Sequence, residues 1–178
     1  MRDEAAEYLG YPLRMSGANS SGLTLALAGE LPDGVNDLRI GEAILGGRDA
    51  MRRDAITGLH QDAIAVSAAV VESRRKEFAP SGPLAEQSPF GDRPLQTRSG
   101  AGLRVVIAIG QQDVAPGGLT PKTPGIKVLG GSSDHTVLDA TDASVAPQVG
   151  DILSFTPSYE ATVRAYTSPY VTKLPVWH

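Results

Sequence analysis

Leu103-Arg104-Val105-Val106-Ile107-Ala108-Ile109, bounded by Gly102 and Gly110, is the run on which the fold turns. Val and Ile dominate it, and glycine punctuates both ends. It is far too short to span a membrane, so it reads as a buried strand. Similar pieces lie on both sides. Upstream, residues 63–70 alternate, with Ile64, Val66, Ala68 and Val70 on one face. Downstream come residues 126–129, 136–139, 151–155 and 161–165. Short strands separated by Gly, Pro and Asp predict an all-β barrel or sandwich. Residues 79–102 are a long loop rich in Pro, Gly and Ser. Loops of that length serve a function or are mobile.

The front of the chain is written differently. Residues 2–9 read as the end of an amphipathic helix and residues 12–15 as a short strand. A polar turn, Ser16-Gly17-Ala18-Asn19-Ser20-Ser21, leads into a helix over residues 23–28, with Ser20 or Ser21 as its N-cap. After a turn at residues 31–34, Leu38-Arg39-Ile40-Gly41 is a second strand and Glu42 opens another helical turn. This helix, strand, helix, strand, helix order predicts parallel strands with crossover helices. Two strand–helix units cannot close an α/β barrel, which needs eight. A parallel sheet also needs cover on both faces. The fold class expected is therefore α/β + β. Residues 1–50 are the last strand–helix units of an incomplete α/β (TIM-type) barrel, the tail of something larger. Residues 58–178 are an all-β domain.

Composition removes several function classes. The 16 Lys and Arg residues against 20 Asp and Glu give a net charge of −4, with no basic block. Nucleic-acid binding needs such a block, and the Arg52-Arg53 and Arg74-Arg75 pairs are too small to supply it. Cysteine is absent, which excludes disulfide and thiolate chemistry. The start, Met1-Arg2-Asp3-Glu4, is acidic and no apolar stretch follows it, so no secretory signal is expected there. No membrane association is expected, and the cytoplasm is the expected location.

Three features could carry chemistry. The turn at residues 16–21 follows a strand and opens a helix, so its N–H groups and hydroxyls could cradle a phosphate, or it could be a plain capping turn. Arg39-Ile40-Gly41-Glu42 lies at the C-terminal end of a strand, the end that faces the active site in a barrel. Arg39 could equally pair with a nearby carboxylate. Gly130-Gly131-Ser132-Ser133-Asp134-His135 is either a binding loop or a turn held by Asp134. The histidines, His60, His135 and His178, have no metal-ligand spacing, so no metal is expected. Phosphate-loop, dinucleotide and hydrolase-elbow motifs are absent.

Taken in order, the segments resemble one family. Asn19-Ser20, residues 38–46 (LRIGEAILG), 58–63 (GLHQDA), 108–113 (AIGQQD), 129–135 (LGGSSDH), 149–151 (VGD) and 167–171 (TSPYV) resemble the C-terminal part of the alanine/ornithine racemase-like amino-acid racemases. The resemblance covers nearly the whole chain. It implies an α/β barrel followed by a β domain, working as a head-to-tail homodimer in which each barrel mouth faces the partner's β domain. It implies pyridoxal 5'-phosphate (PLP) as cofactor, acting as an electron sink when a Cα proton is removed from an amino-acid substrate.

The resemblance also implies roles. Asn19 and Ser20 match the phosphate-side turn. Arg39 matches an arginine on the pyridine nitrogen, where a permanent cation keeps that nitrogen unprotonated. The backbone of Gly41 and Glu42 approaches the phosphate, as does the hydroxyl of Tyr170. Ser133 and Asp134 lie in the loop that approaches the substrate carboxylate. The cofactor lysine of the family has no match. The lysines, Lys76, Lys122, Lys127 and Lys173, all fall in the β part. Association with a barrel segment is therefore expected, and the chain alone is expected to be inactive.

One departure bears on specificity. Alanine racemases carry a tyrosine acid after the glycine matching Gly110, whereas this chain has Gln111. An amide cannot exchange a proton near neutral pH. The chain thus resembles the ornithine or broad-specificity branch. His135 is the first candidate for the opposite-face acid, because imidazole titrates near neutrality. Tyr159 and Tyr166 follow. The competing readings are a non-catalytic β-domain module for binding or assembly, and a decarboxylase or aldolase of the same barrel class. Retention of Asn19, Ser20, Arg39 and Tyr170 favours the racemase over the module. The missing cysteine weakens the decarboxylase.

Overall fold

The computed structural model describes residues 2–78 and 99–176. Of the loop expected at 79–102, residues 79–98 lie outside the described residues, as does His178. The chain divides into two compact units, Met1–Ile64 and Ala65–His178.

In the first unit, α1 (Arg2–Leu9) precedes β1 (Ser16–Ala18). A 3-10 turn at Ser20–Gly22 runs into α2 (Leu23–Ala28). Then come β2 (Asp37–Leu38) and α3 (Glu42–Gly46). Strands β1 and β2 pair in parallel, with Ser16 opposite Asp37 and Ala18 opposite Leu38. The parallel strand–helix order is the expected one, but two boundaries move. The first strand is Ser16–Ala18 rather than residues 12–15, because β2 lies opposite the later residues and Pro12 has no N–H for a ladder. The second strand stops at Leu38, although the Arg39 amide still donates to the Ala18 carbonyl at 3.0 Å. The N-cap of α2 is Gly22, with no side-chain cap, because Ser20 and Ser21 are taken into the 3-10 turn; that turn is capped by Asn19, whose side chain accepts from the Ser21 amide.

Gly47 closes this unit on itself. Its φ is +62°, and an added Cβ would lie 2.1 Å from the His60 carbonyl oxygen. Glycine alone tolerates that backbone and that approach. Its carbonyl accepts from the Ile56 amide at 2.9 Å, which brings Ile56 into the interior.

The second unit is antiparallel throughout. It comprises β3 (Val66–Glu77), β4 (Ala101–Ile107), β5 (Leu119–Pro121), β6 (Lys127–Gly131), β7 (Thr136–Asp139), β8 (Ile152–Pro157) and α4 (Tyr159–Thr167). The sheet order is β5-β8-β3-β4-β7-β6. The end strands β5 and β6 also touch, so the sheet curls into a nearly closed barrel. Closure removes unpaired edges. Alternation along the strands fills the interior: Val66, Ala68 and Val70 from β3, Val105 and Ile107 from β4, Leu138 from β7 and Phe155 from β8 are buried together. A bulge between Val70 and Glu72 leaves exposed Val71 without an opposite residue on β4, and the clean alternation of β3 ends there. Thr136, a fully buried polar side chain there, donates its hydroxyl to the Ile109 carbonyl at 2.7 Å.

Residues 161–165 are not a strand. They lie inside α4, whose first turn is capped by Ser158 accepting from the Ala161 amide. Ala161 and Ala165 are buried one helical turn apart, whereas Val163 between them is 42% exposed. The three apolar residues matched a two-residue period, but only a helical period fits their burial. β5 carried no expectation. Its three residues are too few for a periodic signal.

Candidate functional site

The first unit gathers most of the residues expected on the phosphate side. Asn19 Oδ1 accepts from the Ser21 amide at 2.9 Å and the Ser21 hydroxyl at 2.7 Å, which leaves Nδ2 as its donor. Ser20 Oγ accepts from the amides of Gly41 at 3.2 Å and Ala43 at 3.3 Å. One hydroxyl thus ties the turn after β1 to the start of α3, and its own hydrogen remains a donor. Gly41 is exposed, and nothing lies within 4 Å of where a Cβ would sit on it. Glu42 would be a poor neighbour for an anion, but it is ion-paired with Arg53. Arg53 holds a left-handed φ of +66°, an uncommon backbone for a non-glycine residue. Arg39 is exposed, and no carboxylate pairs with it among the described residues.

Behind this turn sits Asp49, a buried carboxylate that sequence reasoning missed. It accepts from the Arg52 amide at 2.7 Å, the Thr24 hydroxyl at 2.8 Å and the Met51 amide at 2.8 Å. Those bonds hold its carboxyl below the usual range, against the opposing effect of burial. The Asp-x-x-x-x-Asp run 49–54 around two arginines reads as ordinary surface charge, and only the Thr24 contact marks Asp49 as interior.

The second unit brings Ser133, Asp134 and His135 to the β6–β7 turn, all exposed. This turn stacks on the turn that starts at Gly110. The Gln111 amide donates to the Ser132 carbonyl at 2.8 Å, and the Gln112 amide to the Ser133 carbonyl at 3.0 Å. A Cβ on Gly110 would lie 2.4 Å from both the His135 nitrogen and the Ser133 oxygen. Gln111 is buried, with its amide nitrogen 3.5 Å from the Gly131 carbonyl. Tyr170 is 79% exposed, and its backbone amide donates to Ser168 Oγ at 3.1 Å. Ser168 in turn donates to buried Asp113 at 2.6 Å. The structure therefore joins Gln111, Ser133, Asp134 and His135 through backbone contacts, and ties the Tyr170 segment to them through the Ser168–Asp113 side-chain bond. Tyr159 and Tyr166 stand apart from that group of contacts. They occupy the two ends of α4, two helical turns apart, and both are exposed.

The described residues hold no cluster of His, Asp or Glu suited to a metal ion. No described helix is long and apolar enough to cross a membrane.

No protein-family model matches the chain. Its sequence is 36% identical over 159 residues to the ornithine racemase of Acetoanaerobium sticklandii, a match covering 89% of this chain and 45% of that protein. It is 40% identical over 162 residues to the lysine racemase of Thermotoga maritima, covering 90% of this chain and 45% of that protein. The chain thus spans about half the length of the curated relatives it matches. Among solved structures, the D-threonine aldolase of Filomicrobium marinum superposes with a TM-score of 0.55 at 19% identity, over 90% of this chain and 38% of that one. The alanine racemase of Acinetobacter baumannii superposes with a TM-score of 0.50 at 16% identity, over 82% of this chain and 39% of that one. At such identities the likeness is one of fold. The chain is related to the ornithine and lysine racemases over that shared stretch, and its fold is that of the C-terminal part of an alanine racemase-like protein.

Proposed function

We propose that this chain supplies the phosphate-side turn and the β domain of a PLP-dependent amino-acid racemase acting on basic amino acids such as ornithine or lysine. The observation that carries the proposal is the pairing of relatedness with local geometry. The chain is 36–40% identical to ornithine and lysine racemases along about nine-tenths of its length. Within that stretch, Ser20 Oγ draws the Asn19 turn and Gly41 together.

The donor set fits a phosphate. It has a serine hydroxyl with a free hydrogen, an Asn amide, an exposed glycine backbone with open space beside it, and a neighbouring carboxylate already neutralised by Arg53. The primary amine that would hold the cofactor covalently is not among residues 1–64, since all the lysines come later. A barrel segment would supply it, and association with that segment or with a second copy would complete the site.

When bound, PLP supplies an electron sink for the substrate's Cα carbanion. The chain's own residues would do the rest. Arg39, permanently charged, would keep the pyridine nitrogen unprotonated and so moderate that sink toward simple proton exchange. Asn19 Nδ2 and the Ser20 hydroxyl would orient the phosphate, with the Gly41 amide turning to it from Ser20 Oγ and Tyr170 adding a hydroxyl. Ser133 and Asp134 would meet the substrate's polar groups. Gln111 cannot exchange a proton, so the opposite-face proton falls to His135, with Tyr159 and Tyr166 as the remaining candidates. On this reading the chain works in the cytoplasm, where free amino acids and the cofactor are available.

The test is to join residues 1–178 to the preceding half of the Thermotoga maritima relative and follow L- to D-ornithine and lysine by chiral chromatography. Racemisation that falls on Ser20→Ala and on Arg39→Glu is the expected result. A folded hybrid that racemises equally well in both variants would remove these residues from the site.

A further inference from the structure

We infer that Asp113 and Ser168 are positioning residues whose buried hydrogen bond makes the Gln111 turn and the Tyr170 segment one rigid piece. Both lie in segments that carry the resemblance, 108–113 and 167–171, which assigns neither a role. This role rests on the proposed reading of Ser133 and Asp134, stacked on the Gln111 turn, as meeting substrate and of Tyr170 as reaching phosphate.

Ser168 is 5% exposed and Asp113 is 7% exposed. Burying a carboxylate is costly unless hydrogen bonds compensate, and a purely packing role would be served by an apolar pair. The bond is short and charge-assisted, at 2.6 Å from Ser168 Oγ to Asp113 Oδ1. Ser168 is also a junction. Its Oγ accepts from the Tyr170 amide at 3.1 Å, its own amide donates to the Arg164 carbonyl at 2.9 Å, and its carbonyl accepts from Lys173 Nζ. Asp113 is fixed from the other side, because its amide donates to the Gly110 carbonyl at 3.0 Å. The same turn presents the Gln111 and Gln112 amides to the Ser132 and Ser133 carbonyls. An unbroken line of hydrogen bonds and backbone thus runs from Tyr170 to Ser133. Arg164 adds a second strut, donating from Nη1 to the Gln111 carbonyl at 3.4 Å. Tyr170 is too exposed to be held by packing, so the junction beneath it sets where it stands.

The experiment is amide hydrogen exchange by NMR on the 178-residue chain. Ser168→Ala should speed exchange about tenfold, the scale of one lost charge-assisted bond, at Gln111 and Gln112 as well as Tyr170. Val105 and Leu138, in the barrel interior, should keep their rates. Ser168→Thr retains the hydroxyl and should restore slow exchange. Should Ser168→Ala not fold, Asp113→Asn, which can still accept, compared with Asp113→Ala gives the same contrast. A change confined to Tyr170, or a uniform rise that includes Val105, would overturn the inference. In the enzyme joined to the Thermotoga maritima half, the pyridoxal 5'-phosphate affinity of Tyr170→Phe separates the two readings. Coupled exchange in the 178-residue chain with unchanged affinity in Tyr170→Phe keeps the junction and removes Tyr170 from the phosphate. Weakened affinity in Tyr170→Phe without coupled exchange does the reverse.

Discussion

Gly110 and His135 approach so closely that a single methyl group could not fit between them, since a Cβ on Gly110 would lie 2.4 Å from the His135 backbone nitrogen. The contact locks the β6–β7 turn onto the turn carrying Gln111. Gly110→Ala should therefore force the two turns apart and destabilise the β unit by about 1–3 kcal/mol, the usual cost of overpacking. Urea denaturation followed by circular dichroism measures it. An unchanged midpoint would mean that the turns are not in contact in solution.

Phe155 is the largest fully buried side chain of the barrel. Truncating it to Ala should cost about 3–5 kcal/mol. On α4, Ser158→Ala removes the cap of the first turn and should cost about 1 kcal/mol. Val163→Thr should stay within about 0.5 kcal/mol because the site is exposed. Were residues 161–165 a strand facing the core, Val163 would instead be sensitive and Ser158 neutral. Thermal melts of the two variants decide between these patterns.

Asp49 should give the first unit a pH dependence. Its carboxyl is held low by the Arg52 amide, the Thr24 hydroxyl and the Met51 amide. A depressed folded-state pKa contributes stability above the unfolded value of about 3.9, and that stability is lost as pH falls through the folded value. Asp49→Asn should therefore speed amide exchange at Met51 and Arg52 near pH 6, and the difference from wild type should shrink as the pH drops below about 4. A difference that persists unchanged at low pH would show that the carboxylate charge is not what holds the loop.

The lysines of this chain should not hold pyridoxal phosphate at one defined place. All of them lie beyond residue 64, away in sequence from the Asn19, Ser20 and Gly41 turn. Borohydride reduction of the chain with pyridoxal 5'-phosphate, followed by peptide mapping, should give scattered, substoichiometric labelling. One lysine labelled stoichiometrically would reassign the cofactor site to the β unit.

Arg39 separates a cofactor role from a surface role. In the joined enzyme, Arg39→Glu should lower racemisation strongly. Arg39→Lys should be milder but not silent, because an ammonium lacks the planar guanidinium fork. If Arg39 were only a solvated charge, both variants would change stability by less than about 1 kcal/mol and leave turnover intact.

Sequence by itself determined the parallel strand–helix writing of the first unit, because α2 and α3 carry strong local helix signals and Gly and Pro mark the turns between elements. It also determined most strands of the barrel, where a period of two residues is visible in Val66, Ala68 and Val70 and in Val105 and Ile107. The candidate residues Asn19, Ser20, Gly41, Ser133 and His135 were legible from ordered resemblance, since each sits in a short glycine- or serine-rich turn. Tertiary structure alone decided three things. Residues 161–165 satisfy both a strand and a helix period, and the burial of Ala161 and Ala165 against the barrel chose the helix. Closure came from the meeting of β5 and β6, and β5 is too short to carry a periodic signal. The Asp113–Ser168 bond joins residues 55 positions apart. Local sequence records which residues can form a turn, but a bond across that separation exists only once the barrel has brought its ends together.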